Sequence, residues 1–185
     1  FPIKAKTTKE SIAAQWKNIK PWNPESPNLY DLELVLKQNG NIIHKYDKRI
    51  GFRTLEFKKQ DGIYVNGTKI IMKGINRHSF WPEGGRSTSK RISELDVKLL
   101  KDMNMNAVRG HYPPDEHFLD VCDSLGLFVL NELAGWQNSY DTETGTKLVT
   151  EMVVRDVNHP SVIIWDNGNE GGWNYNVDKV FEDND

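Results

Sequence analysis

The chain has 185 residues, of which 37% are hydrophobic and 27% are charged, and its net charge is −2 at pH 7. This composition is typical of a globular protein and argues against a disordered chain. The near-neutral charge gives no electrostatic basis for nucleic acid or an anionic membrane as a partner. No apolar run approaches the roughly 18 residues that a membrane span requires.

The first predicted region, residues 1–57, has the patterns of antiparallel β-structure. Residues 28–37 alternate apolar with polar side chains, residues 38–41 form a turn signal, and strands continue over 42–46 and 49–57. Three strands are too few for an independent sandwich. We therefore expect this region to be the C-terminal part of a β-sandwich whose other strands lie upstream.

The second predicted region, residues 58–185, alternates strands with helices. Strands are predicted at 69–74, 106–109, 127–130 and 162–165, and helices at 91–103, 115–125 and 147–157. Ser89 and Asp115 are predicted N-caps, and Gly126 is a predicted helix terminator. Four strand–helix units of this kind indicate an α/β fold that is the first half of a (β/α)8 TIM barrel. A doubly wound sheet would share this order, but no glycine-rich phosphate loop follows a strand.

Polar side chains cluster after each predicted strand, where a barrel places its chemistry. The sets are Asn76-Arg77-His78, then Arg109 with His111 and Tyr112, then Asn131-Glu132, and finally Asn169-Glu170. This clustering is the pattern expected of an active-site face.

Glu170 is the candidate general acid and base, because it ends the apolar run 162–165 within Asn-Gly-Asn-Glu. Glycoside cleavage needs a carboxylic acid to protonate the leaving oxygen and a second carboxylate opposite it. Walls formed by Trp165 and Trp173 would raise the pKa of Glu170 by desolvation. The alternative is a surface glutamate in a strand–helix turn. Asn169 would bind a sugar hydroxyl or cap a helix.

Four further residues are candidates for binding substrate. Arg109 and His111 would bind sugar hydroxyls and hold the acid, or form a structural ion pair with an acid such as Asp115. Asn76 would bind substrate or support its loop, as would its neighbour Arg77. Glu132 would orient Arg109 or His111, bind a metal or touch substrate, and spacing does not choose among these roles.

Three tryptophans lie in loops on the predicted active face. Aromatic rings stack on the apolar faces of sugars, so Trp136 and Trp173, together with Trp81, favour sugar binding over simple packing. His159 precedes the fourth predicted strand and is assigned to structure. No residue cluster has zinc-site spacing, so no cofactor is required; a divalent cation is conceivable without support from the sequence.

Four segments carry specific motifs. They are Gly74-Ile75-Asn76-Arg77-His78, then Asn106-Ala107-Val108-Arg109 with His111-Tyr112-Pro113, then residues 122–127 with Glu132, and residues 156–165 with Gly168-Asn169-Glu170. Together they resemble glycoside hydrolase family 2, most closely its β-galactosidase-like members. Residues 22–30 and 50–53 resemble the end of the immunoglobulin-like sandwich that precedes that family's barrel.

The resemblance implies a retaining double displacement in which Glu170 protonates the leaving oxygen and later activates water. The nucleophile would be a glutamate at the end of the seventh barrel strand, beyond residue 185. We therefore expect an internal fragment of a longer protein that shows no turnover alone. The implied reaction is cleavage of terminal β-glycosides, most closely β-galactosides. A β-glucuronidase, a galactan-specific hydrolase, and a non-catalytic sugar-binding relative are the alternatives.

Three departures from the family pattern stand out. One residue, Gly110, separates Arg109 from His111 where the family usually has two, which would shift His111 by up to roughly 3.5 Å. Asp166-Asn167 replaces the usual small and apolar pair before Gly168. Residues 133–136 lack the metal-ligand histidine of some β-galactosidases, so a magnesium site is not carried over.

The expected partner is an oligosaccharide or polysaccharide, and the longer protein would be a homo-oligomer candidate. Residues 1–4 lack the charged-then-apolar pattern of a signal peptide. The compartment stays open, with the bacterial periplasm or secretion favoured over the cytoplasm.

Overall fold

The computed structural model describes residues 11–185, so the first ten residues of the predicted sandwich segment, including residues 1–4, lie outside the described residues. The elements are β1 Trp22–Asn23, β2 Ser26–Pro27, β3 Tyr30–Gln38, β4 Asn41–Ile50, β5 Leu55–Lys58, β6 Gly62–Val65, β7 Thr68–Ile70, β8 Gly74–His78, α1 Lys90–Asp102, β9 Ala107–His111, α2 Glu116–Leu125, β10 Phe128–Glu132, α3 Thr142–Asp156, β11 Val162–Asp166, a 3-10 helix Tyr175–Val177 and α4 Asp178–Asn184. Among residues 11–185, none of the helices has both the length and the apolar character that crossing a membrane requires.

The four strands β8 to β11 form one parallel sheet in the order β11-β10-β9-β8. Helices α1, α2 and α3 connect consecutive strands of this sheet. Parallel neighbours joined by helices are the repeating unit of a (β/α)8 barrel. The predicted barrel half is therefore confirmed, and antiparallel strands precede it, as expected.

The first barrel strand lies later in the chain than predicted. The prediction of 69–74 is wrong, because β7 pairs antiparallel with β6 in a separate three-stranded sheet, and the barrel begins with β8. The prediction failed because it followed apolar content. In β8 the polar residues Asn76, Arg77 and His78 pair in register with Arg109, Gly110 and His111 of β9.

The antiparallel region also differs in its boundaries. β3 and β4 form a long hairpin around the predicted turn, but the predicted strand 49–57 is broken between β4 and β5. The break has a physical reason, because the Arg53 guanidinium donates to the carbonyls of Pro160 and Val162. These bonds fasten the segment between the strands to the beginning of β11.

Two predicted helices are confirmed to within one residue at each end, and the third begins earlier. The Ser89 hydroxyl accepts from the Ile92 amide, and Gly126 adopts the left-handed conformation with φ 77°. Asp115 occupies the N-cap of α2 but makes no side-chain cap bond. α3 starts at Thr142 rather than near residue 147, because Asp141 caps the helix by accepting from the Thr144 amide.

Alternation along the strands separates two apolar layers. Val108, Val129 and Val162 pack with the helices, whereas the neighbouring residues Ala107, Phe128 and Ile163 pack with Trp22 and Val65 from the preceding region. Successive side chains of a strand point to opposite faces. The β-structure before the barrel therefore covers the end of the sheet at which its strands begin.

Trp22 is the centre of this second layer. Its ring is fully buried and lies edge-on to Phe128 at 5.8 Å, and its indole N–H donates to the Asp123 carbonyl at 2.7 Å. The Asn66 side chain donates to the Trp22 carbonyl. One residue thus joins the lead-in segment, the small sheet and the barrel.

We expect Trp22→Ala to lower the free energy of unfolding by about 3–5 kcal/mol, because it leaves a cavity in this layer. Trp22→Phe should cost less, since it keeps most of the apolar contact and removes the hydrogen bond to Asp123. Urea denaturation measures both. Phe57→Ala, at a side chain that is 59% exposed, is the control; an equal loss from this variant would contradict the assignment of Trp22 as a central core residue.

Candidate active site

Charged side chains converge where the parallel strands end. Glu132 and Asp166 end neighbouring strands and are register partners, and Arg109 lies on β9, the strand on the other side of β10. Register partners in neighbouring strands point to the same face of the sheet. The strand pairing thus brings two carboxyl groups and one guanidinium to a single point.

Arg109 is the hub of this cluster. Its Nη2 lies 2.6 Å from Glu132 Oε2 and donates to Asn169 Oδ1 at 3.2 Å, and its Nε donates to Asp166 Oδ2 at 3.1 Å. A guanidinium presents its donors in a fixed fork, so it can bind several acceptors at once. Arg109 therefore links β10, β11 and the loop that carries Glu170.

Glu132 is completely buried, unlike the carboxyl groups around it. Burial raises its pKa from an ordinary 4.5 to about 7, and the charge of Asp166 also raises it, whereas Arg109 lowers it. Of the three sequence-based roles for Glu132, contact with Arg109 is present in the structure.

His111 lies beside the same carboxyl group. Its Nε2 is 3.4 Å from Glu132 Oε2, and its ring stacks on Tyr112 and meets the edge of His78. Burial lowers the pKa of His111, and the charges of Arg109 and His78 lower it further. The shortened connection at Gly110 leaves β9 paired with β8 in regular register through His111. The alternative of a structural ion pair is present, but with Glu132 and Asp166 as the partners of Arg109. Asp115, the acid named as an example, instead contacts Thr88 and His117.

Glu170 follows β11 in the left-handed conformation, with φ 48°, and its side chain is exposed. Its Oε2 accepts a hydrogen bond from Trp136 Nε1 at 2.9 Å. The prediction that Trp165 walls Glu170 is wrong, because Trp165 packs against the core and donates to Asp185.

The loops carrying Trp136 and Glu170 are joined through their backbones. The Asn169 amide donates to the Gly135 carbonyl, and the Gln137 amide donates to the Asn169 carbonyl. A Cβ added at Gly135 would collide with the Gly172 carbonyl, and one at Gly172 would collide with the backbone of Gly135. Neither glycine is among the residues predicted from the sequence, although Leu-Ala-Gly-Trp and Asn-Glu-Gly-Gly contain the signal.

The remaining candidates lie around this cluster at different distances. Asn76 is exposed on β8 as the register partner of Arg109, and both line an open cavity of about 330 Å³. Trp173 is 42% exposed in the segment after Glu170, close in sequence to Gly172. Trp81 lines a different cavity beside the start of α1. The structure therefore brings Trp136 to Glu170 and places Trp81 elsewhere.

Arg77 and His159 have structural surroundings. Arg77 is buried, forms an ion pair with Asp96 at 2.7 Å and lies over the Phe118 ring, which supports its scaffolding role. His159 Nδ1 contacts Asp123 Oδ2 at 2.6 Å. Within residues 11–185, the group of side chains spaced to hold a metal ion consists of Asp120, Asp123 and His159 and does not include Glu132. It lies near Ser161, at the opposite end of β11 from Glu170.

Family models match nearly the whole chain. The model described as glycosyl hydrolases family 2, TIM barrel domain, matches residues 55–183, and a second model, glycosyl hydrolases family 2, matches residues 2–53. A β-galactosidase of Thermoanaerobacterium thermosulfurigenes is 43% identical over 80% of this chain and 21% of its own length. A putative β-glucuronidase of Formosa agariphila is 39% identical over 94% of this chain and 22% of its own length. The chain thus spans about a fifth of the length of these relatives.

Solved structures give the same result. A β-glycosidase of Bacteroides vulgatus superposes with a TM-score of 0.81 at 34% identity, covering 89% of this chain and 23% of that one. A β-glucuronidase of Parabacteroides merdae superposes with a TM-score of 0.79 at 30% identity, covering 88% and 21%. The similarity extends over most of residues 11–185.

We expect Gly172→Ala to disrupt the junction between the two loops, because the added methyl group would displace residues 135 and 136. Displacing Trp136 should misplace Glu170 and, where Glu170 is the catalytic carboxylate of the complete protein, lower kcat/KM by up to about 100-fold. Steady-state kinetics measure this loss. Gly40→Ala is the control, since its added Cβ meets nothing within 4 Å. Unchanged kinetics in folded Gly172→Ala would show that the close approach is dispensable.

We expect Glu132 to make the stability depend on pH. A carboxyl group whose pKa is raised in the folded state contributes most to stability below about pH 4.5 and loses that contribution as the pH rises to about 7. Glu132→Gln should flatten this decline in urea midpoints measured across the same range. Glu94→Gln, which removes an exposed carboxylate on α1, should retain it. An equally steep decline in Glu132→Gln would contradict the assignment.

Proposed function

Because the chain belongs to glycoside hydrolase family 2, we propose that it forms part of a retaining β-glycosidase in which Glu170 is the general acid and base. One observation carries the assignment of this residue. Glu170 is the exposed carboxylate on the loop where β11 ends, and Trp136 holds one of its oxygens at 2.9 Å. A carboxyl group in this position can reach the oxygen between a bound sugar and its leaving group.

The proposed reaction begins with proton transfer from Glu170 to the leaving glycosidic oxygen. After the leaving group departs, Glu170 as a carboxylate removes a proton from the attacking water. The Trp136 N–H binds Oε2, so the other oxygen is available for this transfer. A donor fixed to one oxygen orients the carboxyl group without occupying both of its acceptor atoms.

The neighbouring residues are assigned to substrate binding. Arg109 donates a hydrogen bond to Oδ1 of Asn169, and we propose that the side-chain amide NH2 of Asn169 donates to a sugar hydroxyl. The exposed faces of Trp136 and Trp173, 56% and 42% exposed, supply apolar surface for stacking on a sugar ring. Asn76 and His111, which lie on β8 and β9, would bind hydroxyl groups further along the sheet edge.

Retention of configuration requires a second carboxylate, which attacks the sugar. We assign it to a part of the enzyme outside these 185 residues, since the chain spans about a fifth of the length of the relatives described above. The substrate is an oligosaccharide or polysaccharide, and the 185 residues alone are not expected to turn it over.

The charge around Arg109 favours a neutral sugar such as galactose. A uronic acid would bring a carboxylate that needs its own cationic partner. Arg109 already contacts the carboxyl groups of Glu132 and Asp166 and is not free to serve as that partner. A β-glucuronide is the second candidate, because the Formosa agariphila relative described as a putative β-glucuronidase aligns with 94% of this chain.

The test compares the complete enzyme with its Glu170→Gln variant on nitrophenyl β-galactoside, β-glucuronide, β-glucoside and β-mannoside. We expect hydrolysis of the galactoside and a loss of about 10²- to 10⁴-fold in kcat for the variant, which lacks the proton donor and base. Steady-state release of nitrophenol measures both results.

Glu182→Gln, an exposed change in α4, is the matched control and should keep full activity. Hydrolysis of the glucuronide instead of the galactoside would make a β-glucuronide the substrate and leave the proposed role of Glu170 unchanged. Full activity of Glu170→Gln would overturn the catalytic assignment.

A further inference from the structure

Asp166 has an unusual position for a charged residue. It ends β11 directly beside Glu132, its register partner on β10, and like charges at paired positions of a sheet are destabilising. Its side chain is about one-third exposed, whereas that of Glu132 is completely buried. Its sequence neighbour Asn167 lies in other surroundings, because it donates to Asn174 and Asp178. Of the two residues Asp166 and Asn167, only Asp166 therefore contacts the Arg109 cluster.

The charges in this cluster do not balance when both carboxyl groups are ionised. Glu132 and Asp166 share one guanidinium, that of Arg109. His111, whose Nε2 lies 3.4 Å from Glu132 Oε2, is the nearest other side chain that could carry a positive charge. Burial and the charges of Arg109 and His78 lower the pKa of His111, which favours its neutral form near pH 7. A buried excess charge is costly unless a proton neutralises it.

We propose that Asp166 is a positioning residue that holds Arg109 against Asn169 beside Glu170, and that its charge beside Glu132 keeps a proton on Glu132. This inference rests on the proposed function, because it assigns a role within the same site. The geometry gives Asp166 the Nε edge of Arg109, while Nη2 reaches Glu132 and Asn169. Contact at Nε restrains rotation of the guanidinium, which in turn sets the direction of Nη2.

The proton on Glu132 has a consequence for pH. With one proton in the pair, the two carboxyl groups and Arg109 sum to zero charge. Loss of that proton places one net negative charge beside Asn169 and Glu170. Burial is the main cause that raises the pKa of Glu132 to about 7, and the neighbouring charge of Asp166 raises it as well. Removing the charge of Asp166 should therefore lower the pH at which the proton is lost.

The test uses the complete enzyme and its Asp166→Asn, Asp166→Glu and Glu132→Gln variants. Infrared difference spectra follow the C=O band of a protonated carboxylic acid as a function of pH, and kinetics follow the pH dependence of kcat/KM. In the native enzyme both should show an ionisation near pH 7. Glu132→Gln should remove the band.

Asp166→Asn should move the ionisation down by about one pH unit or more and lower kcat by up to about 100-fold, with a smaller change in KM. Asp166→Glu restores the charge and should return the ionisation to near pH 7 and recover much of kcat. Asp183→Asn removes an exposed carboxylate on α4 and is the control for net charge. A purely structural Asp166 would not move the ionisation.

Two results would overturn the proposal. One is an unchanged ionisation in folded Asp166→Asn, and the other is a band that persists in Glu132→Gln, which also decides the question if Asp166→Asn does not fold. The Glu170→Gln variant separates this inference from the proposed function. If Glu170→Gln loses activity while the ionisation is insensitive to Asp166, the inference fails and the glycosidase assignment stands.

Discussion

The contacts of Arg109 are the interaction on which the candidate site depends. The side chain lies in the middle of β9 and contacts Glu132 on β10, Asp166 on β11 and Asn169 in the loop after β11. Each of these contacts requires the parallel register of β9, β10 and β11, because a shift of one residue would turn the side chains to the other face. The sheet and the site are therefore specified by the same pairing.

The opposite face of the sheet carries its own polar contacts, and these hold the helices. Arg77 on β8 pairs with Asp96 on α1, and Asn131 on β10 donates to Asp156 at the end of α3. Buried polar groups are tolerated when they have such partners. Neighbouring residues of one strand thus serve different purposes, since Asn131 contacts a helix and Glu132 contacts Arg109. Closely spaced polar residues at a strand end cannot all be assigned to the active site.

These alternating roles explain how far the sequence could be interpreted. The strand–helix order, the barrel half and the caps at Ser89 and Gly126 follow from periodicity and local chemistry, which depend on neighbours in sequence. The location of the first barrel strand does not follow from periodicity, because the polar residues of β8 obscure the apolar pattern expected of a buried strand. The partner of Glu170 also escaped prediction. Trp165 precedes Glu170 by only five residues in sequence, but Trp136 is the residue that the fold brings to it, through a loop of another strand.

The position of Trp136 in turn depends on residues without side chains. Glu170 has a left-handed backbone, which is strained for a glutamate, and Gly168 and Gly171 on either side of it also have positive φ values, of 122° and 92°. The turn can close because Gly172 lies directly against Gly135, and that contact brings the Trp136 indole to the carboxylate. A strained conformation persists only where its surroundings restrain it. Here backbone pairing from the neighbouring loop and the indole hydrogen bond supply the restraint, so the direction of the Glu170 carboxyl group is a property of two loops together rather than of its own turn.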